Sequence, residues 1–263
     1  EIFSLDLKPL PEALAGLTQH IEGDLLDKEL LQKVEEEHQY TEIYHLAAVL
    51  STTAEKNPLL AHQINTCITI DLLEMAVRQS QAGNQPVKFL FPSSIAVYGI
   101  PDLQTKHSIP PVKENQYTNP TTMYGCSKLY CENVGVYYSE HYQQLDEEIP
   151  TRIDFRAIRF PGIISAFTIP SGGTSDFGPE MIHAAAQGKP YACFVRQDVC
   201  IPFMMMPDAV RSLTMLADAP PETLSQRVYN ISSFSYSAND FKQMTEAGFP
   251  DANIQFHPDP KRQ

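Results

Sequence analysis

The chain has 263 residues, 43% of them apolar, which leaves room for one large domain or a core with a small lobe. Its formal net charge of −13 argues against nucleic acid or an anionic membrane surface as a partner, because both reward a basic face. No uninterrupted apolar run is long enough to span a bilayer, and the opening residues show neither the basic nor the apolar region of a signal peptide.

In chain order, Ile2 to Leu5 reads as a short strand ending at Asp6, with Pro9 and Pro11 as breakers. Gly23-Asp24-Leu25-Leu26-Asp27 is a turn, and Asp27 is placed to cap a helix running to Glu37. Ile43 to Ala48 is the next strand and its exit. Asn57-Pro58 starts an amphipathic stretch to Gln79, with Leu60, Ile64, Ile68, Leu72 and Met75 on one face. Val87 to Phe91 reads as a buried parallel strand. The polar, proline-rich segment 101–120 is too long for a simple connection and reads as a functional loop. A helix over Thr121–Tyr142 and a surface excursion over Gln143–Pro150 follow. Then come a strand over Asp154–Arg159 ending at Phe160-Pro161-Gly162, a flexible Gly172-Gly173-Thr174 loop and a helix over Pro179–Gln187. The chain goes on with a strand over Tyr191–Val195, a helix capped at Pro207-Asp208, a strand over Val228–Ile231 and a last helix capped by Ser237. Strands alternating with helices from the start predict an α/β fold with a parallel sheet.

The cysteines, Cys67, Cys126, Cys131, Cys193 and Cys200, are odd in number and form no C-x-x-C, which suits free thiols in a reducing compartment. That means an intracellular location, either bacterial cytoplasm or mitochondrial matrix. The eight histidines show no ligand spacing, so no metal is expected. His45 and His183 read as core or surface histidines rather than catalytic ones.

The chemistry concentrates in two stretches, Pro92-Ser93-Ser94-Ile95-Ala96-Val97-Tyr98-Gly99 and Tyr124-Gly125-Cys126-Ser127-Lys128. A tyrosine ionises near pH 10 in water and is a poor base. An ammonium one helical turn away favours its phenolate. Tyr-x-x-x-Lys alone is weak in a chain with twelve tyrosines. Ser94 strengthens it, because it follows a buried strand at the end where ligands bind in open α/β sheets.

Ser94 followed by Tyr124-x-x-x-Lys128 resembles the short-chain dehydrogenase/reductase superfamily. With His45-Leu46-Ala47-Ala48 and Gly23-Asp24-Leu25-Leu26-Asp27, the resemblance is to its extended, epimerase-like branch. The runs His45–Ser51, Pro92–Val97, Gly172–Asp176, Gly188–Tyr191, Met206–Ala209 and Tyr229–Ile231 look like the short-chain type of L-threonine 3-dehydrogenase. The likeness covers essentially the whole chain. It implies a Rossmann-like doubly wound parallel sheet over 1–164 and a small C-terminal substrate lobe over 165–263, interleaved with the core around 207–231. It also implies a homodimer through long paired helices. The branch's Gly-x-x-Gly-x-x-Gly turn is absent, so the sequence is expected to begin at the second strand of that pattern and to stop short of its last helices.

Carried over by residue, the resemblance implies NAD as cofactor and an amino-acid substrate, L-threonine, oxidised to 2-amino-3-oxobutanoate. A nucleotide-sugar epimerase or dehydratase, or a non-catalytic NAD-binding protein, are the alternatives. Ser94, Tyr124 and Lys128 are the catalytic set. Asp6 would accept from the adenosine ribose and favour NAD over NADP, or else is a solvated strand end. Asp24 and Leu25 would meet the adenine. Leu46, Ala47 and Ala48 would lie along the dinucleotide, with Ser93 and Pro161 nearby. Asn65 would hold a neighbouring backbone, or is a polar helix-face residue. Ser51, Thr174 and Asp176 would contact the substrate, with Asp176 taking its ammonium; a polar mobile loop is the alternative. Met204-Met205-Met206 read as core, and Asp208 as a cap.

Overall fold

The computed structural model describes residues 1–145, 152–170 and 172–260. The second half of the expected Gln143–Pro150 excursion and the last three residues of the chain lie outside them.

In the first half, strands β1 (Phe3–Asp6) and β2 (Gln19–Glu22) are followed by helix α1 (Lys28–Glu37), strand β3 (Glu42–Tyr44) and helices α2 (Ser51–Lys56) and α3 (Pro58–His62). One π-helical turn, Gln63–Cys67, leads into α4 (Ile68–Gly83). Next come β4 (Val87–Ser94), α5 (Leu103–Ser108) and α6 (Met123–Glu140). The second half runs β5 (Ile153–Phe160), β6 (Gly162–Ile164), α7 (Phe177–Ala186), β7 (Tyr191–Cys193), β8 (Cys200–Met205) and α8 (Met206–Asp218). It ends with β9 (Val228–Asn230), β10 (Phe234–Ser237), α9 (Ala238–Gly248) and β11 (Ile254–Phe256).

The fold is α/β and Rossmann-like. Its core is a four-stranded parallel sheet in the order β3-β4-β5-β9. The parallel β1–β2 pair forms a separate hydrogen-bonded sheet; among the described residues no backbone pairing joins it to β3. A mixed sheet, β10-β8-β6, and a parallel pair, β11-β7, build the C-terminal part.

β5 shows how the layers are set. All eight of its residues are buried, and alternate side chains face opposite sides of the sheet. Ile153, Phe155 and Ala157 join Phe89, Phe91 and residues of α4 and α6 in one apolar cluster. Ile158 and Phe160 join Met204 and Ala209 in another, which α8 covers through Leu213 and Leu216. A third cluster, centred on Phe177, Phe203 and Phe241, belongs to residues 164–256. The two arginines of this buried strand are both paired. Arg156 donates to Asp154 and to the carbonyls of Leu216, Ala217 and Ala219 at the end of α8; Arg159 pairs with Glu132 on α6. Gly135 lets α6 lie against this strand: a Cβ there would fall 2.2 Å from the Phe155 ring.

Most expected elements are present within a residue or two. Asp27 accepts from the Glu29 and Leu30 amides, and Ser237 forms a capping box with Asp240. The long amphipathic stretch begins at Asn57 as expected, where the side chain caps α3 through the Leu60 amide, and it runs on through the π-helical turn Gln63–Cys67 into α4. Asp208 is not a cap. The N-cap residue of α8 is Met205, and Asp208 lies in the first turn, where a carboxylate suits the helix dipole. Strands β2, β10 and β11 are not apparent in the sequence, because three or four residues give little periodic signal, and the six residues of β8 show no alternation of burial.

Phe155 stacks on Phe89 at 6.0 Å and contacts Phe91 at 6.1 Å. Phe155→Ala is expected to cost about 3–5 kcal/mol. Denaturant unfolding monitored by circular dichroism checks this; a loss below about 1 kcal/mol would mean that this cluster is not the core the sheet is built on.

Candidate active site

The site forms where the carboxyl end of β4 meets the first turns of α6. Thr122 caps α6 by accepting from the Gly125 amide at 3.1 Å. Ser94 ends β4 and caps the short 3-10 turn Ile95–Val97 by accepting from the Ala96 amide at 3.2 Å. Gly125 brings the two together: a Cβ on it would fall 2.1 Å from the Ala96 carbonyl oxygen. This approach sets the Tyr124 phenol beside the Ser94 hydroxyl, which favours the phenolate.

Burial sets the electrostatics. It pushes the Tyr124 phenol up to about 12, only partly offset by the Ser94 hydroxyl. Lys128 is itself buried. Its Nζ donates to the Pro92 carbonyl at 2.7 Å and lies 4.5 Å from the Phe91 ring centroid and 5.7 Å from that of Tyr124. Desolvation brings the ammonium down to about 8, against the opposing influence of Cys131 and Glu132. At neutral pH, then, Tyr124 is a protonated phenol and Lys128 a charged amine close to its titration point. Among the described residues its hydrogen-bond partner is the Pro92 carbonyl, which leaves the ammonium donors to spare.

The other expected residues fall into three groups. At the exit of β3, Leu46 is 66% exposed, Ala47 is exposed and Ala48 half-buried, so small side chains line an open surface beside the end of β4. Asn65 is buried in the π-helical turn and holds the Val49 backbone from both sides, accepting from its amide at 2.7 Å and donating to its carbonyl at 3.0 Å. Of its two readings, the backbone-holding one describes the geometry. Ser93 is also buried, and its hydroxyl donates to Glu132, so its side chain is engaged inside the protein. Pro161 is buried between β5 and β6.

A second group lies at the end of β1. Asp6 is exposed; one carboxylate oxygen accepts from the Lys8 amide at 2.9 Å and its carbonyl from the Gly23 amide at 3.0 Å. Asp24 closes the following turn by accepting from the Leu26 amide, while Leu25 packs on the core. Asp6 and Asp24 thus share one corner.

The third group joins two distant parts of the chain. The Thr174 amide donates to Ser51 Oγ at 3.4 Å, bringing the glycine loop to the start of α2. Asp176 accepts from the Gly173 amide at 2.8 Å and stands at the N-terminus of α7, so its carboxylate shapes the loop.

His45 is a satisfied core histidine. It is buried, with Nε2 2.9 Å from Thr69 Oγ1, and burial beside Lys128 brings it down to about 3. Glu132, Arg159, Tyr98 and Asn230 surround the site in one hydrogen-bonded group, and no motif spacing marks the four together. Their one sequence signal is polar residues in otherwise apolar elements.

Residues 5–232 match the NAD dependent epimerase/dehydratase family, and the chain belongs to that family. Among its relatives is the mitochondrial L-threonine 3-dehydrogenase of Bos taurus, 30% identical over 98% of this chain and 64% of the relative's length. The chain therefore spans a little under two thirds of that enzyme. Two solved structures are similar throughout. One is a monomeric L-threonine 3-dehydrogenase from a metagenome, at 35% identity and TM-score 0.83, with 99% of this chain and 77% of that one covered. The other is a GalE-like L-threonine dehydrogenase from Cupriavidus necator in its holo form, at 32% identity and TM-score 0.81, with 99% and 78% covered.

The buried His45 gives a pH signature. Its folded value of about 3 lies below the unfolded 6.5, so the unfolded chain binds the extra proton. The stability this neutral ring allows is complete above 6.5 and is lost as the pH falls toward 3. Between pH 7 and pH 5 the loss is expected to be about 2 kcal/mol, and His45→Phe should remove that part of the slope. Urea unfolding at the two pH values checks it; equal slopes in both proteins would contradict the assignment.

Proposed function

We propose that this chain carries out the NAD-dependent oxidation of L-threonine to 2-amino-3-oxobutanoate. The observation that carries the reading is the Ser94–Tyr124–Lys128 constellation, with Lys128 buried and Ser94 and Tyr124 half-buried, on a chain similar along its length to several L-threonine dehydrogenases. The described residues fit the two ends of the cofactor. Lys128, with spare donors, and the small Leu46-Ala47-Ala48 exit suit the nicotinamide ribose; the exposed Asp6 and Asp24 suit the adenosine. No Gly-x-x-Gly-x-x-Gly turn occurs among the 263 residues to hold the pyrophosphate.

When bound, NAD supplies the hydride acceptor. The chain's own residues handle the proton and the orientation. Tyr124 takes the proton of the substrate hydroxyl at its phenol oxygen, for which it must first ionise against the desolvation that holds it near 12. Ser94 donates to the same substrate oxygen and fixes the attack geometry. Lys128 provides the nearby positive charge that makes the phenolate less costly. Ser51 and the Thr174 loop sit where they can close on the amino acid, and Asp176 provides a carboxylate for its ammonium.

The separate apolar clusters of residues 5–157 and 164–256 support a division into a dinucleotide-binding part, 1–164, and a smaller substrate part, 165–263. β9 returns to the main sheet and interleaves the two. The five free cysteines support a reducing, intracellular setting.

Tyr124→Phe is expected to lower NADH formation from L-threonine by about 10³-fold or more while leaving NAD binding within a few-fold. NADH absorbance with L-threonine and with a panel of nucleotide sugars, beside calorimetry with NAD, checks this. Wild-type rates that are higher with a nucleotide sugar, or unchanged rates in Tyr124→Phe, would overturn it.

The same reading includes a homodimer through the outer sides of α4 and α6, where Tyr130 and Tyr137 are 45% and 42% exposed. Sedimentation velocity is expected to give twice the monomer mass. A monomer at micromolar concentration would contradict it, as in the monomeric metagenome enzyme.

A further inference from the structure

One group of buried polar residues remains outside this chemistry, and it touches every element that carries it. Glu132 and Arg159 are both almost fully buried. Arg159 Nε donates to Glu132 Oε1 at 2.9 Å and Nη2 donates to Oε2 at 2.6 Å, a two-pronged pair. The Ser93 hydroxyl donates to Glu132 Oε1 as well. Nη1 of Arg159 donates to the Tyr98 hydroxyl at 2.8 Å and to the Glu114 carbonyl at 2.7 Å. The Tyr98 hydroxyl donates to Asn230 Oδ1 at 2.6 Å. Asn230 in turn donates from its backbone to the Glu114 carboxylate at 2.9 Å and from Nδ2 to the Val112 carbonyl at 3.1 Å.

We propose that the Glu132–Arg159 pair is the positioning device of the site. Through Ser93 it fixes the end of β4 that carries Ser94. Glu132 lies one helical turn beyond Lys128, where its carboxylate joins Cys131 in opposing the desolvation of the ammonium. Arg159 ties the 112–117 segment and β9 to the same centre.

A buried ion pair is a poor stabiliser, since desolvating two charges costs several kcal/mol and apolar replacement is often neutral. Retaining one here, with four of the five guanidinium N–H donors engaged, is better explained by what it holds in place. The groups around Lys128 make the effect readable. Tyr124, Cys131 and Glu132 face it from its own helix, His45 from the exit of β3, and Arg159 stands behind Glu132. Among these, Glu132 is a carboxylate that opposes the desolvation of the ammonium.

The test follows the Lys128 Cε resonance by NMR in protein containing 13C-labelled lysine, assigned by its disappearance in Lys128→Met. Glu132→Gln is expected to move the Lys128 titration down by about one unit, because the opposing charge is gone. Glu132→Met with Arg159→Met removes the pair together, in the exchange that most often leaves folding intact, and should shift it in the same direction. In turnover, Glu132→Gln should lower kcat about tenfold or more with KM for the alcohol within a few-fold, and Glu132→Asp should recover part of it. A Lys128 titration unmoved in a folded variant would reduce the pair to a structural brace and overturn the proposal. The turnover arm rests on the dehydrogenase reading, whereas the titration arm needs neither cofactor nor substrate. A wild-type chain inactive on every alcohol would sink the function and leave the titration result standing.

Discussion

The closeness of α6 to the end of β4 is the constraint on which the site depends. It is bought by two glycines on one helix: Gly125, against the Ala96 carbonyl, and Gly135, against the Phe155 ring. Together they lay the whole length of α6 on the sheet. With the helix so placed, Tyr124 reaches Ser94, Lys128 reaches the Pro92 carbonyl and Glu132 reaches Ser93 and Arg159. The helix contributes these three residues at positions i, i+4 and i+8, one stripe facing the carboxyl ends of β4 and β5.

That stripe enters a region where burial penalises charge. The phenol is pushed up, and the ammonium and the imidazole of His45 are pulled down, each chiefly by desolvation. The Glu132–Arg159 pair is the exception, a charge pair compensated within itself. The site is therefore electrostatically poised: a lysine near its titration point, a tyrosine held in its acid form and a carboxylate one turn beyond the lysine. Small changes of local charge then have large effects on the proton-transfer groups, as low-dielectric sites allow.

Much of this was legible in the sequence where chemistry and periodicity coincide. A buried apolar run ending in Ser94, and a helix opening with Tyr124-x-x-x-Lys128, specify strand, helix and their meeting point. Asp27 and Ser237 announce their helices because capping is local. What lay beyond reach is long-range. Arg159 reads as an ordinary strand charge until α6 brings Glu132 to it from 27 residues away. The contact between Ser51 and Thr174 spans 123 residues, so no spacing encodes it. The Tyr124–Lys128 spacing gives proximity alone, whereas burial, which spacing does not show, decides which form of each group is favoured.

The most direct measurement of the central claim is isotope transfer from L-threonine deuterated at C3, analysed by mass spectrometry and NMR of the reduced cofactor. Removal of hydride from that carbon under Ser94 and Tyr124 leaves the deuterium on the nicotinamide ring and slows the reaction. Unlabelled NADH, or deuterium released to water, would contradict the claim.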